Sequence, residues 1–180
     1  MSSFDSERST TEEEQPSTII QVHSRLITSI AEALQKVISH NQNNPHYQKI
    51  LQHQAKSPFS FWQIPSISLE DYLERIQFYT KCEEPCIISS LIYIDRLSSI
   101  GHLVLTPYNV HRIVFCSILI SIKFLEDKYF KMDYYSNIAG VSMKELKKLE
   151  STFLNTIKFH LFIDEDEYSQ YLNYLLNEKP

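Results

Sequence analysis

The chain has 180 residues, 43% of them hydrophobic, and carries a net charge of −5 from 17 Lys plus Arg against 22 Asp plus Glu. That length and apolar content suffice for one domain with a real core, while an acidic balance disfavours nucleic acid, whose affinity comes from Lys and Arg neutralising phosphates. Two glycines, Gly101 and Gly140, are too few and too far apart for the Gly-rich loops that cradle phosphates or dinucleotides, and turn dipeptides are too sparse for a many-stranded sheet.

Residues 1–17 are rich in Ser, Thr and Glu and cannot bury apolar surface, so a disordered tail is expected. Thr18 can cap a helix to about His40, with Ile20, Ile27, Ile30, Leu34 and Val37 on one stripe. The cluster from Asn41 to Pro45 stops it, and a short helix from Pro45 to about Gln54 turns Tyr47, Ile50 and Leu51 inward. Residues 57–68 read as a loop, with Pro58 and Pro65, yet carry Phe59, Phe61 and Trp62. Such aromatics predict a loop packed down onto the domain.

Ser68 opens the next helix, with Asp71 at the capping-box position and Leu69, Tyr72, Leu73, Ile76 and Tyr79 facing in. Pro85 suits the first position of a helix to about Ser99 that buries Ile88, Leu91 and Ile92, an expectation that extends to Asp95. Thr106-Pro107 repeats the cap-then-proline signal for a helix to about Leu125 that is apolar on nearly every side, and so should be the hub. A short helix from Tyr134 ends at Gly140. Ser142 and Glu145 form a capping box ahead of the Leu146, Leu149, Phe153, Ile157 stripe, and the acids Asp164 to Glu167 suit the start of a last helix. About eight helices and no strand are expected, an all-α class.

The three cysteines, Cys82, Cys86 and Cys116, make an odd count and indicate a reducing compartment. The polar, acidic start shows no signal peptide, and the longest apolar run, Ile113 to Ile122, is too short to span a bilayer. No membrane association is expected, and the location is cytoplasmic and/or nuclear. None of the seven histidines forms H-x-x-x-H or H-E-x-x-H, and the C-x3-C of Cys82 and Cys86 has no second pair to complete a zinc site. Neither metal, cofactor nor catalytic residues are indicated.

Five helices between Ser68 and Ile157, amphipathic around a buried third, carry the segments YLERIQFYTKCEEPCIISSLIYIDRL and LTPYNVHRIVFCSILISIKFLEDKYFKMDYYSNIAGVSMKELKKLESTFLNTIKFHL. These resemble the cyclin box over roughly residues 59–172. The wording NVHR, KFLED, YYSNIAGVS and ELKKLESTFL resembles the phosphate-pathway, or P/U-type, single-box cyclins in particular. The implied organisation is a tail (1–17), N-terminal helices (18–56), a single five-helix cyclin box (57–162) and a C-terminal helix (163–180).

The resemblance implies a non-catalytic activator of a cyclin-dependent kinase, monomeric when free and heterodimeric with the kinase. It carries over a lysine and a glutamate that hydrogen-bond the kinase backbone onto Lys123 and Glu150, and it sets Ile120, Phe124, Leu154, Phe159 and Leu161 around them. Lys donates and Glu accepts, so a neighbouring pair can grip both a C=O and an N–H of a partner. The plainer reading of that pair is an intramolecular surface ion pair worth ~0–1 kcal/mol. Charged neighbours near helix ends mark Phe124 and Phe159 as surface positions, whereas Ile120 and Leu154 fall on the core side.

Arg75 and Asp95 match a family pair that ties the first helix of the box to the second. If buried, its rupture by Asp95→Ala should cost ~3–5 kcal/mol. The substrate-docking motif M-R-A-I-L is replaced by YLERI, and a second box is missing, so the resemblance does not extend to docking of that kind. A second functional reading is a cyclin-fold transcription-factor or scaffold module without a kinase partner. Such factors typically carry two boxes and a basic face, unlike this chain.

Overall fold

The computed structural model describes residues 16–177, so the expected tail falls largely outside the described residues. Those residues form eight helices and no strand. The first helix, α1 (Pro16–Gln42), buries Leu26, Ile27, Ile30, Ala31, Leu34 and Ile38 along one stripe. Val37, expected inward, is 45% exposed, because Leu34 and Ile38 set the centre of the stripe and Val37 lies at its margin. The side chains of residues 16–24 are not described, and the Thr18 cap and Ile20 lie among them.

Helix α2 (Tyr47–Gln54) buries no residue fully; Tyr47, Ile50 and Leu51 are half-buried. The loop that follows is pinned from beneath. Phe59 is buried, edge-on to Phe153 at 6.0 Å between ring centres. The Phe61 N–H donates to the Tyr108 carbonyl at 2.8 Å, and the Arg112 guanidinium lies 4.0 Å from the Phe61 ring centre. Arg112 also donates to the carbonyl of Pro58 at 2.7 Å and pairs with Glu145. Trp62 departs from the expectation: it stands 87% exposed, while Phe59 and Phe61 make the loop's contacts with the domain.

Helix α3 (Leu69–Thr80) starts where Ser68 Oγ accepts from the Asp71 N–H at 3.0 Å. It buries Leu69, Tyr72, Leu73, Ile76 and Thr80. Tyr79 is on the outer flank and exposed, and Thr80 takes the inward position at the helix end. Helix α4 (Glu84–Gly101) holds Pro85 in its first turn, and α5 (Val110–Leu125) begins later than the Thr106-Pro107 signal suggested. Residues 106–109 form a tight turn locked by the buried Asn109 side chain, which accepts from the Thr106 N–H at 2.8 Å and donates to the Val104 carbonyl at 2.9 Å. Asn109 is therefore the residue that precedes the helix, and Thr106 opens the turn before it.

The hub is a pair of helices rather than α5 alone. Every residue from Val110 to Ile122 except Arg112 is buried, and so is the run from Cys86 to Ile94 in α4. Three of the serines in this hub return their hydroxyls to a carbonyl three or four residues back: Ser90 to Ile87 at 2.6 Å, Ser117 to Val114 at 2.9 Å, Ser121 to Ser117 at 3.0 Å. Around the pair lie α1 against α3, then α6 (Met132–Ala139) and α7 (Met143–Thr156), with α8 (Glu165–Asn177) closing over α1 and α4. Gly140, at φ +69°, ends α6 in the left-handed region that favours glycine. Ser142 caps α7 by accepting from the Glu145 N–H at 3.2 Å. The Glu145 carboxylate, however, turns to Arg112 rather than back to the cap.

Candidate partner-binding face

Lys123 sits in the last turn of α5 and Glu150 in the middle of α7, where the packing of the two helices brings them together. Lys123 Nζ and Glu150 Oε1 are 2.5 Å apart, and Nζ is also 3.9 Å from Met132 Sδ at the start of α6. The Lys123 side chain is 29% exposed and that of Glu150 15%, so the pair lies at the surface but is held from below. Beneath it is the fully buried Cys116 thiol. Burial pushes that thiol well above its ordinary range, the Glu150 charge pushes it further, and Lys123 opposes the shift. One ammonium N–H goes to Glu150 and one faces Met132 Sδ, which leaves a third donor and the second Glu150 oxygen for a partner's backbone.

The structure divides the five apolar positions assigned around this pair. Ile120 is 2% exposed and belongs to the core. Leu154 and Leu161 are half-buried and pack on the core from outside. Phe124 and Phe159 project outward at 51% and 62%. Sequence reasoning missed Leu125 and Phe162, which are also exposed and join Phe124, Leu161 and Ile163 around an apolar groove. The charged Lys123 next to Phe124, near a helix end, gave a signal, but Phe162 lies in a coil without periodicity and gave none.

Phe159 owes its position to an unusual backbone. Lys158 and Phe159 both adopt left-handed angles, φ +55° and +56°, and the Phe159 N–H donates to the Leu154 carbonyl at 2.9 Å, closing the end of α7. Left-handed φ in a non-glycine residue costs about 1–2 kcal/mol each. Here that cost turns an aromatic ring toward solvent at the end of α7, the helix that carries Glu150. On the Met132 side, α6 contributes Tyr134, which stacks on Phe130 at 4.4 Å and donates its hydroxyl to the Tyr79 carbonyl at 2.8 Å.

The Arg75–Asp95 pair is not formed. Both residues are exposed. Arg75 lies outside the arc of α3 set by Tyr72, Leu73 and Ile76, and Asp95 instead accepts from the Tyr171 hydroxyl of α8 at 2.5 Å. Although Asp95 is exposed as a residue, the surrounding protein withdraws its carboxyl in part from water and lifts it above its ordinary 3.8, while the Tyr171 hydrogen bond opposes the shift. The arginine that is buried is the next residue, Arg96, 9% exposed. It donates to the His160 carbonyl at 2.8 Å and pairs with Glu167 at 2.6 Å. Asp95 also lines a cavity of about 310 Å³ between α1, α4 and α8, with Leu34, Leu91, Leu105 and Tyr174, remote from Lys123 and Glu150 in the element order.

Among the described residues no three His, Cys, Asp or Glu side chains gather where a metal could be held, and no helix is long and apolar enough to cross a membrane. Cys82 and Cys86 are buried free thiols, and Cys86 Sγ donates to Glu126 Oε1 at 3.3 Å.

The described residues thus form an all-helical domain built on a two-helix hub. The family model for cyclins matches residues 13–161. Among curated relatives, Cyclin-U4-3 of Arabidopsis thaliana is 33% identical over 89% of this chain and 71% of its own length. Cyclin-P4-1 of Oryza sativa subsp. japonica is 30% identical over 86% and 74%. PHO85 cyclin-7 of Saccharomyces cerevisiae is 33% identical over 62% and 44%. The chain belongs to the cyclin family, with relatives among its P- and U-type members. The match begins at residue 13, so it takes in α1 and α2 as well as the five helices legible from the text.

Proposed function

We propose that this chain is the regulatory subunit of a cyclin-dependent kinase, and that it binds the kinase C-helix through the face centred on Lys123 and Glu150. The observation that carries this reading is the pair itself: 2.5 Å apart at the surface of a cyclin-family fold, with Phe124, next to Lys123 in the chain, and Phe159, at the end of the helix that carries Glu150, both exposed. An aromatic centre with a polar pair is the arrangement from which interfaces draw most of their affinity. Cyclins in general regulate rather than catalyse, and the chemistry here would be the kinase's own. Binding would hold the C-helix inward so that the kinase's Lys–Glu pair and activation segment reach the active state, a shift of population rather than a chemical step.

The test is affinity purification of the tagged protein from its own cells, followed by mass spectrometry and a kinase assay on the eluate. A co-purifying cyclin-dependent kinase whose activity falls with Glu150→Ala supports the reading and places the interface. Recovery of a transcription complex or scaffold partner without a kinase would overturn it. The same tagged protein, imaged in its cells, tests the cytoplasmic or nuclear location that accompanies the reading.

A further inference from the structure

The segment between α7 and α8, residues 158–164, forms one lip of the proposed kinase face and presents Phe159 and Phe162. It has no regular hydrogen-bonded ladder of its own. What fixes it is a set of contacts from the buried hub. The Tyr93 hydroxyl donates to the Leu161 carbonyl at 2.9 Å, and Arg96 Nη1 donates to the His160 carbonyl at 2.8 Å. The other arm of the same guanidinium, Nη2, reaches Glu167 Oε2 at 2.6 Å, in the first turn of α8. Glu167 in turn donates its backbone N–H to Asp164 Oδ1 at 2.8 Å, capping α8 where the lip ends. The Arg96 guanidinium stands 5.9 Å from the Tyr93 ring centre, so the two hub residues also steady each other.

We infer that Arg96 is a positioning residue for partner binding: with Tyr93 and Glu167 it clasps the 158–164 lip between hub and C-terminal helix, making α8 part of the partner-binding face. The chemistry favours arginine. Its planar fork can satisfy a carbonyl and a carboxylate at once, in two directions, whereas a lysine ammonium on a flexible stem cannot hold both in the same geometry. Arg96 is buried, so its charge has to be met, and these two acceptors meet it. Phe159 keeps its own tie to the end of α7, so release of the lip would free the residues after it, including Leu161 and Phe162, which line the apolar groove with Phe124.

The role in partner binding rests on the kinase reading; the clasp itself does not, and the experiment separates them. Hydrogen–deuterium exchange of the free full-length protein reads the lip directly, and surface-captured kinase from the affinity purification reads its consequence. Glu167→Ala is the first variant, because Glu167 is about one-third exposed and its loss leaves the core intact; Arg96→Lys is the second. Amide exchange in residues 159–163 should rise about tenfold in both, the size of one charge-assisted hydrogen bond, with exchange in α4 and α5 unchanged. Kinase dissociation should quicken by about the same factor with the association rate little changed, since the loss is of pre-organisation. Unchanged exchange at 159–163 in both variants overturns the clasp. Raised exchange with an unchanged kinase off-rate overturns the role of the lip in binding. Raised exchange in a protein whose wild type captures no kinase leaves the clasp supported and instead removes the kinase reading.

Discussion

Asp95 and Arg96 are adjacent in sequence and have opposite surroundings. Asp95 is exposed and keeps a single hydrogen bond, from Tyr171, while Arg96 is buried and spends its donors on His160 and Glu167. Asp95→Ala should therefore cost only about 1 kcal/mol, the worth of one hydrogen bond, rather than the several expected of a broken buried pair. Chemical denaturation of the variant checks this, and a loss of 3 kcal/mol or more would mean that the carboxylate has a buried partner after all. The apolar period predicted which face of α4 is covered but could not assign these two residues. Their partners, Tyr171 and Glu167, lie more than 70 positions away in α8, and no local pattern records which helix will cover a given flank. Lys123 and Glu150 were legible only through the family wording. The pair is 27 residues apart, and its 2.5 Å contact is a product of packing. In a kinase-binding titration, Glu150→Ala or Lys123→Ala should weaken affinity by about 30-fold or more while leaving the melting temperature nearly unchanged. Unaltered affinity in both would remove these residues from the interface.

Elements were the most readable level, and their failures have local causes. Capping signals located α3 and α7 to the residue, because Ser68 and Ser142 each place an oxygen on an N–H three positions on. The start of α5 was misplaced because Thr106-Pro107 imitates a helix start while the Asn109 side chain builds a turn there instead. The close approach of α4 and α7 left one trace in the sequence. A Cβ on Gly101 would lie 2.4 Å from Thr156 Cγ2, and the Thr156 hydroxyl is bonded to the Thr152 carbonyl at 2.7 Å, which holds its rotamer. Gly101→Ala, which in an open helix would stabilise by up to about 1 kcal/mol, should here destabilise by about 1–3 kcal/mol. The double variant with Thr156→Ala should recover most of that loss in thermal unfolding. No recovery would show that the clash is not what Gly101 avoids.

For the molecule as a whole, the packed hub sets a direction for the response to acid. His111, 8% exposed at the start of α5, shares a hydrogen bond with the Ile67 carbonyl at 3.1 Å and packs 5.1 Å from the Tyr72 ring. Burial lowers its pKa below the ordinary 6.5, with the carbonyl bond opposing. The folded state thus favours the neutral ring, while the unfolded chain takes up a proton near the ordinary value. Stability from this group is full above about pH 6.5 and declines as pH falls below it, until the folded ring protonates too. The melting temperature should drop between about pH 7 and about pH 5, and His111→Gln should flatten that part of the profile whatever it does to absolute stability. An equally steep profile in the variant would assign the dependence to other groups.

Trp62 is the chain's sole tryptophan and stands 87% exposed on a pinned loop. Its emission is already that of a water-surrounded indole in the native state, open to collisional quenchers. Intrinsic fluorescence will follow unfolding of this domain poorly, and circular dichroism of the helices is the better signal. The same indole becomes a background-free optical probe: a blue shift on mixing with any tryptophan-free ligand can come only from Trp62.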